Sequence, residues 1–297
     1  MGDFYLAYEY WFAAVQLALA MLGMGATLTI EDFRNILDKP RSLAIGTGTQ
    51  VLLVPLVALL FISLSRAEPG VLVGLALLAA IPGGTVSNIF TYLARGSSSL
   101  SISITGLTTV ASLVTTPLIL GLLISDYMPD SFVMPAGRIA FEISIFLLLP
   151  LLAGMLALRH FPEIAPRVSR WSIRGSLFII LLIVIGASAA GRLDMDAFGG
   201  ANALLVLFFT LMLVGLSTAV PYFARCPRPD LTAIQIEVAV RNTNLGLLIN
   251  ASLFPARPGE PNPLGDMVLF TLLLYGGVQL LVGAGLIWFH RRQTTPA

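Results

Sequence analysis

Two polar stretches each interrupt a long apolar run of this chain. The first reads Pro82-Gly83-Gly84-Thr85-Val86-Ser87-Asn88, and the second reads Glu237-Val238-Ala239-Val240-Arg241-Asn242-Thr243-Asn244. Backbone that leaves the helix at bilayer depth is tolerated only where protein or a water-filled cavity covers it. Paired interruptions in the two halves of a chain mark the substrate and ion site of secondary transporters. The pattern therefore predicts a secondary transporter.

The composition predicts an all-α polytopic membrane protein. Of the 297 residues, 57% are hydrophobic and 11% are charged, and the mean hydropathy is +0.89. The apolar runs are continuous and of helical length, which excludes the short alternating segments of a β-barrel. A net charge of +1 gives no indication of nucleic-acid binding. The single Cys226 excludes a disulfide framework within the chain and offers no metal cluster.

The hydrophobic pattern predicts nine membrane spans, and the third and the eighth carry the two interruptions. Their approximate ranges are 8–30, 43–65, 70–94, 100–125, 139–158, 175–191, 201–223, 231–254 and 265–289. Because the interrupted spans are five apart, they cross the membrane in opposite directions. This predicts two inverted repeats, 1–135 with four spans and 136–297 with five.

Basic residues predict the orientation of the spans. The loops on one side carry twelve Arg and Lys residues, including Arg34 and Lys39, whereas the loops on the other side carry four. The side with twelve should be cytoplasmic. The N-terminus is therefore predicted to lie outside and the C-terminus in the cytoplasm.

Three motifs resemble the bile acid:sodium symporter family. They are Met24-Gly25-Ala26-Thr27-Leu28-Thr29 with Asp32-Phe33, the stretch from Pro82 to Asn88 running on to Gly96, and Glu237-Val238 with Asn242. The resemblance covers about residues 20 to 290. It implies a core domain and a panel domain that each draw on both repeats, crossing discontinuous helices, and alternating access coupled to sodium. The chain resembles a bacterial nine-span form that lacks the first helix, which implies the bacterial inner (cytoplasmic) membrane.

The resemblance places a first sodium site on five residues of matching type. They are Ser87, Asn88, Ser101, Thr105 and Glu237. The chemistry agrees, because sodium is a hard cation that hydroxyl, amide and carboxylate oxygens suit. An isolated serine or threonine in a span would more simply serve close helix packing.

A second sodium site of the family is retained only in part. The resemblance implies Glu237, the carbonyls near Val238 and Val240, Gln50, and a glutamine where this chain has Arg241. A guanidinium has five donors and no acceptor, so it cannot be a ligand of sodium. Two interpretations remain open. Arg241 either replaces the second ion by a tethered charge, or it forms a salt bridge that neutralises the buried Glu237.

The resemblance places the substrate against the crossing of the interrupted spans. Thr85 and Asn242 match substrate positions, and Asn244 and Tyr275 are further candidates by location. Helix N-termini favour an organic anion such as a carboxylate or a sulfate. One alternative is a sodium-independent transporter or exchanger. Another is a channel, although a single site at the midplane of two inverted repeats is more typical of alternating access. An intramembrane enzyme is disfavoured because the two histidines, His160 and His290, lie at span ends and no paired acidic motif is present. The substrate and the oligomeric state stay open.

Overall fold

The computed structural model describes residues 2–29, 31–32 and 40–293. Three residues named above lie outside the described residues, namely Phe33, Arg34 and Lys39. The terminal Met1 and Ala297 also lie outside them. The described secondary structure is helical, and within these ranges there are only two isolated β-bridges and no strand. The all-α membrane fold predicted from the composition is confirmed at this level.

The described helices are numbered here in chain order. They are α1 (Gly2–Gly25), α2 (Pro40–Leu64), α3 (Pro69–Ala80), α4 (Thr85–Leu93), α5 (Ser98–Tyr127), α6 (Ala136–His160), α7 (Ala165–Ala189), α8 (Met195–Phe198), α9 (Gly200–Phe223), α10 (Arg228–Ala239), α11 (Thr243–Leu253) and α12 (Pro263–Gln293). Among the described residues, seven helices are long and apolar enough to cross a membrane, namely α1, α2, α5, α6, α7, α9 and α12. The predicted third and eighth spans correspond instead to two pairs of shorter helices, α3 with α4 and α10 with α11.

Local chemistry explains why each pair is broken. Ile81 is extended, with φ −78° and ψ 151°, because the proline ring that follows disfavours the helical region for the residue before it. In the second pair, α10 ends at Ala239, and the next residue, Val240, is extended, with φ −108° and ψ 99°. The next helix is capped by Asn242, whose side-chain oxygen accepts the Leu245 N–H at 3.3 Å.

Two further irregularities lie inside continuous helices. Segments 49–53 of α2 and 144–148 of α6 form π turns. They end two residues before Pro55 and Pro150, whose rings clash with the carbonyl of a regular preceding turn. The π turn of α2 carries Gln50 at a buried position.

The broken helices lie inside the bundle. All residues of α3 from Gly70 to Ala80 are buried, as are those of α10 from Thr232 to Ala239. α3 packs against α12 and α5, and α10 packs against α9, while α1 packs along α7 and α6. The continuous helices turn exposed apolar side chains such as Leu52, Val114 and Phe208 outward. The broken backbone is therefore shielded by protein, as a lipid environment requires.

Candidate functional site

The two helix breaks contact each other through their backbones. Gly83 and Arg241 form an antiparallel bridge, and the Asn242 N–H donates to the Pro82 carbonyl at 2.9 Å. Polar groups that each broken helix frees are therefore satisfied in part by the other break. Two stretches about 155 residues apart in the chain form one structural unit.

Glycine allows this close approach. A Cβ atom on Gly83 would lie 2.5 Å from Oε2 of Glu237 and 3.1 Å from Nε2 of Gln50. A Cβ atom on Gly84 would lie 3.1 Å from Cα of Asn242. Real Cβ atoms do not approach other atoms as closely as the first contact, so any side chain at residue 83 would require the Glu237 carboxylate to shift.

The five residues of the predicted first sodium site converge on the Glu237 carboxylate, which is fully buried. Ser87 Oγ lies 2.8 Å from Oε1, Thr105 Oγ1 lies 2.8 Å from Oε2, and Ser101 also donates to Oε1. The side-chain oxygen of Asn88 completes the group, at 2.7 Å from Ser101 Oγ and 3.3 Å from Thr105 Oγ1. Side chains from α4, α5 and α10 thus form one oxygen cluster, termed the Glu237 cluster below.

The Glu237 cluster has more close oxygen–oxygen contacts than hydrogens. The three hydroxyl groups each carry one hydrogen, yet together they make seven contacts at hydrogen-bond distance with carboxylate, amide and carbonyl oxygens. Protonation of Glu237 would add one hydrogen, and some of the seven contacts would still have no hydrogen between their two oxygens. Such a group of oxygens suits a small hard cation.

The residues of the partial second site lie beside this cluster. Gln50 Nε2 donates to the Glu237 backbone carbonyl at 3.2 Å, while its Oε1 is buried without a partner among the described residues. Val238 and Val240 are fully buried in the same stretch. Of the residues implied for the second site, Gln50 and Glu237 are thus in direct contact.

The Arg241 side chain forms hydrogen bonds at the end of α3 instead of an ion pair with Glu237. Its guanidinium donates to the carbonyls of Leu78 and Ala79, at 3.0 Å each, and of Ile81. These carbonyls end α3, so Arg241 places a cation at the negative end of that helix. Within the described part of the chain, the ion pairs do not include Arg241 with Glu237. The salt-bridge interpretation therefore has no direct contact in this structure.

A cavity of about 350 Å³ lies beside the crossing, between α1 and α7 on one side and α4, α11 and α12 on the other. Thr85 and Asn244 line it, as does Thr243, so the N-termini of α4 and α11 both meet the cavity. The other two predicted substrate residues do not line it. Asn242 is buried as a helix cap, and the hydroxyl of the buried Tyr275 donates to the Ala239 carbonyl at 2.8 Å.

Gln279 is a site residue that the sequence analysis missed. It lines the same cavity, and its Oε1 accepts the backbone N–H of Arg241 at 2.8 Å. It thus connects the cavity wall to the second helix break. The sequence could have indicated this role, because Gln279 is a polar residue inside the last apolar span, where burying a polar side chain is energetically costly.

A helical membrane protein in which two broken helices meet around a buried oxygen cluster has the architecture of a membrane transporter. Residues 14–190, more than half of the chain, match the Sodium Bile acid symporter family. The chain belongs to this family. The expected resemblance is confirmed.

Relatives of known name agree with this membership. The chain is similar to the uncharacterized sodium-dependent transporter YocS of Bacillus subtilis, at 27% identity over 84% of this chain and 77% of the relative. It is 32% identical to the probable sodium/metabolite cotransporter BASS1 of Arabidopsis thaliana, over 81% of this chain and 59% of the relative. It is 27% identical to the human ileal sodium/bile acid cotransporter, over 93% of this chain and 77% of the relative. These relatives are named as transporters and not as enzymes.

Proposed function

We propose that this protein is a sodium-coupled symporter of a small organic anion. The observation that carries the proposal is the Glu237 cluster, in which seven oxygen–oxygen contacts share three hydroxyl hydrogens. Sodium bound among Ser87, Asn88, Ser101, Thr105 and Glu237 would satisfy these oxygens and the buried carboxylate charge. Sodium is cargo of the transport cycle in this proposal.

The position of Arg241 supports a single coupling ion. The carboxylate with one sodium and one guanidinium carries a net charge of +1, the same as the carboxylate with two sodium ions. The cavity that Gln50 and Arg241 line measures only about 10 Å³, which is barely the size of one water molecule. The tethered cation thus occupies the surroundings of Gln50 and does not leave with the substrate.

The size of the cavity supports a small substrate. Its 350 Å³ lie near the lower end of the range of ligand sites in proteins. The N-termini of α4 and α11 at its wall favour a negative group, and Thr85 and Asn244 offer hydrogen bonds to it. A carboxylate or a sulfate of modest size fits these features. We assign Asn242 and Tyr275 to the support of this wall, because both are buried behind the crossing.

The proposed transport cycle uses alternating access. We place the panel domain at α1, α6 and α7, which pack together, and the core domain at the remaining helices. Counting α3–α4 and α10–α11 as interrupted spans beside the seven continuous helices gives nine, in inverted repeats 1–135 and 136–297. Membership with a bacterial relative and the distribution of Arg and Lys support a bacterial inner membrane, with the N-terminus outside.

The experiment is a thermal-shift screen of the purified protein against small carboxylates and sulfates, in sodium chloride and in potassium chloride. The proposal predicts at least one anion that stabilises the protein in sodium and much less in potassium, since a ligand that binds only the native state raises its stability. Equal stabilisation in both salts would contradict sodium coupling. That result would favour the alternative, a sodium-independent or exchange transporter in which Arg241 replaces the ion.

A further inference from the structure

A second cavity lies at the ends of α4 and α10 that face away from the two helix breaks. It measures about 840 Å³ and opens where α4 and α9 end, where α10 begins and where α12 approaches its end. Three arginines line it, Arg95, Arg225 and Arg228. Among the lining residues that the structure describes, none is acidic. The lining thus brings three arginine side chains to one cavity, termed the arginine pocket below.

The backbone conformation of two of these arginines is unusual. Arg95 and Arg225 have φ values of 59° and 55°, and within the described ranges they are the residues other than glycine with positive φ. Each follows a helix end closed in the same way, with the N–H of Gly96 bound to the Thr91 carbonyl and that of Cys226 to the Pro221 carbonyl, both at 2.9 Å. Glycine is the usual residue at this position. Arginine at both places brings two guanidinium groups to one pocket despite the backbone cost.

The inner wall of the pocket is polar and closely connected. Gln235 donates to the Thr218 hydroxyl at 2.5 Å, and its Oε1 lies 2.6 Å from Nε2 of His290. The His290 Nδ1 lies 3.2 Å from the Thr232 hydroxyl. This network joins α9, α10 and α12 and fixes the pocket floor. The pocket is thus held by rigid elements and not by loops alone.

The outer wall of the pocket is aromatic. Tyr222, Phe223 and Phe289 line it and have 67%, 80% and 49% of their surface exposed. Trp288 lies at the same end of α12, and the Arg292 guanidinium is 3.8 Å from the centre of its ring. Exposed aromatic and arginine side chains together at the end of membrane helices are typical of the level of lipid headgroups.

We propose that the arginine pocket binds an anionic glycerophospholipid, with its phosphodiester group between Arg225 and Arg228 and its acyl chains along Tyr222 and Phe223. Basic pockets between membrane helices bind anionic headgroups, and arginine suits phosphate through its paired donors. A soluble anion would use the arginines but not the exposed aromatic wall. The binding site is separate from the proposed transport site and does not depend on it.

Cys226 provides a local reporter of occupancy. It is the single cysteine of the sequence, and it lines the arginine pocket. The protein is placed in nanodiscs of phosphatidylcholine or of phosphatidylcholine with phosphatidylglycerol, and the rate of maleimide labelling is measured together with the melting temperature. We expect phosphatidylglycerol to slow labelling at least fivefold and to raise the melting temperature.

The Arg225→Gln/Arg228→Gln variant tests the pocket. Each arginine near a membrane surface contributes about a factor of five to anionic lipid binding. The double variant should therefore need about 25-fold more phosphatidylglycerol for the same effect. The matched control is Arg167→Gln/Arg170→Gln, which removes two exposed arginines of α7 outside the pocket and should behave as the parent. If the double variant is unstable, Arg228→Gln alone should show the fivefold change.

Three results would overturn the proposal. One is labelling and melting that do not respond to phosphatidylglycerol in the parent. Another is an equal loss of response in the control variant, which would reduce the effect to general surface charge. The third is the same protection by inorganic phosphate in discs of phosphatidylcholine alone, which would assign the pocket to a soluble anion.

Discussion

Glu237 is the residue around which the proposed ion site is arranged. It is fully buried, and its two carboxylate oxygens are contacted by hydroxyls from α4 and α5. A buried carboxylate is expensive unless a partner charge or several hydrogen bonds compensate it. The nearest fixed cation in sequence, Arg241, is used instead at the carbonyls that end α3. The compensation for Glu237 is therefore left to the hydroxyl groups of its own cluster and, in the proposed function, to a bound sodium ion.

Arg241→Gln is expected to change the number of bound sodium ions. The substitution removes a buried cation and restores an oxygen ligand beside Gln50. The Hill coefficient of sodium-dependent stabilisation should be near one in the parent and should rise in the variant. Loss of the guanidinium leaves carbonyls of α3 without donors, so the free energy of unfolding should also fall by about 2 kcal/mol.

Arg241→Lys is the matched control, because it retains the cation and should retain a Hill coefficient near one. A parent protein that already binds two sodium ions cooperatively would contradict the role assigned to Arg241.

At the residue scale, part of the site could be predicted from the sequence and part could not. The resemblance to the symporter family implied the five residues of the Glu237 cluster, and the structure brings these five side chains together. The partners of Arg241 could not be predicted. They are backbone carbonyls about 160 residues earlier, and every residue offers such a carbonyl whatever its side chain.

At the scale of secondary-structure elements, the site depends on the contact between two helix breaks. Each break alone would leave unpaired backbone groups in the membrane interior, at a cost of several kcal/mol per group. The bridge between Gly83 and Arg241 and the bond from Asn242 to Pro82 satisfy some of these groups. Neither broken helix is therefore expected to be stable without the other.

Gly83→Ala tests this arrangement. The added methyl group would overlap Oε2 of Glu237 at 2.5 Å, so it should displace the carboxylate and weaken sodium-dependent stabilisation at least tenfold in sodium concentration. Gly48→Ala is the control, because a Cβ there meets nothing within 4 Å and alanine is the better helix former.

The control should be neutral or slightly stabilising, by up to about 1 kcal/mol. A normal sodium response in Gly83→Ala would show that the crossing and the Glu237 cluster are not coupled. Thermal unfolding in a sodium series measures both variants.

The ends of helices could be predicted from the sequence where proline and glycine residues interrupt them. Pro82 and the two glycines after it predicted the first break, and the structure ends α3 at Ala80. The π turns at 49–53 and 144–148 and the single turn of α8 were not predicted. They depend on how a helix adjusts to proline or to its neighbours, and hydrophobic periodicity does not carry that information.

At the scale of the whole molecule, one buried ion cluster ties the proposed panel domain to the core. Arg192 contacts Glu9 of α1 and Asp266 of α12, and both contacts are ion pairs. Burial alone would lower the pKa of Arg192, but Glu9 and Asp266 outweigh it, and the net pKa is raised. The guanidinium therefore stays charged and holds the two helices together.

Arg192→Gln should destabilise the protein by about 3 kcal/mol, because it leaves Glu9 buried without its cation. Arg257→Gln is the control, since Arg257 and Glu260 are both mostly exposed and 3.6 Å apart. An exposed pair contributes at most about 1 kcal/mol. Unfolding by denaturant compares the two variants, and equal effects would contradict the importance of the buried cluster.

The orientation of the molecule is tested by reporters fused to each end. The excess of twelve Arg and Lys residues over four predicts that a fusion after Ala297 is active only for a cytoplasmic reporter. A fusion before Met1 should be active only for an external reporter. Both ends in one compartment would contradict nine spans. The contacts of a single helix do not indicate the direction of insertion, so a test of the whole molecule is needed.

The Glu237 cluster is proposed to bind one sodium ion, and equilibrium binding of radioactive sodium to the purified protein measures this stoichiometry. Thr105→Val removes one proposed ligand without changing the shape of the side chain. Thr109→Val makes the same change one turn along α5, where the hydroxyl is buried without a partner among the described residues. Binding should saturate at one ion per chain in the parent and in Thr109→Val, and it should be at least tenfold weaker in Thr105→Val. Absence of saturable binding in the parent, or equal binding by the two variants, would contradict the proposed sodium site.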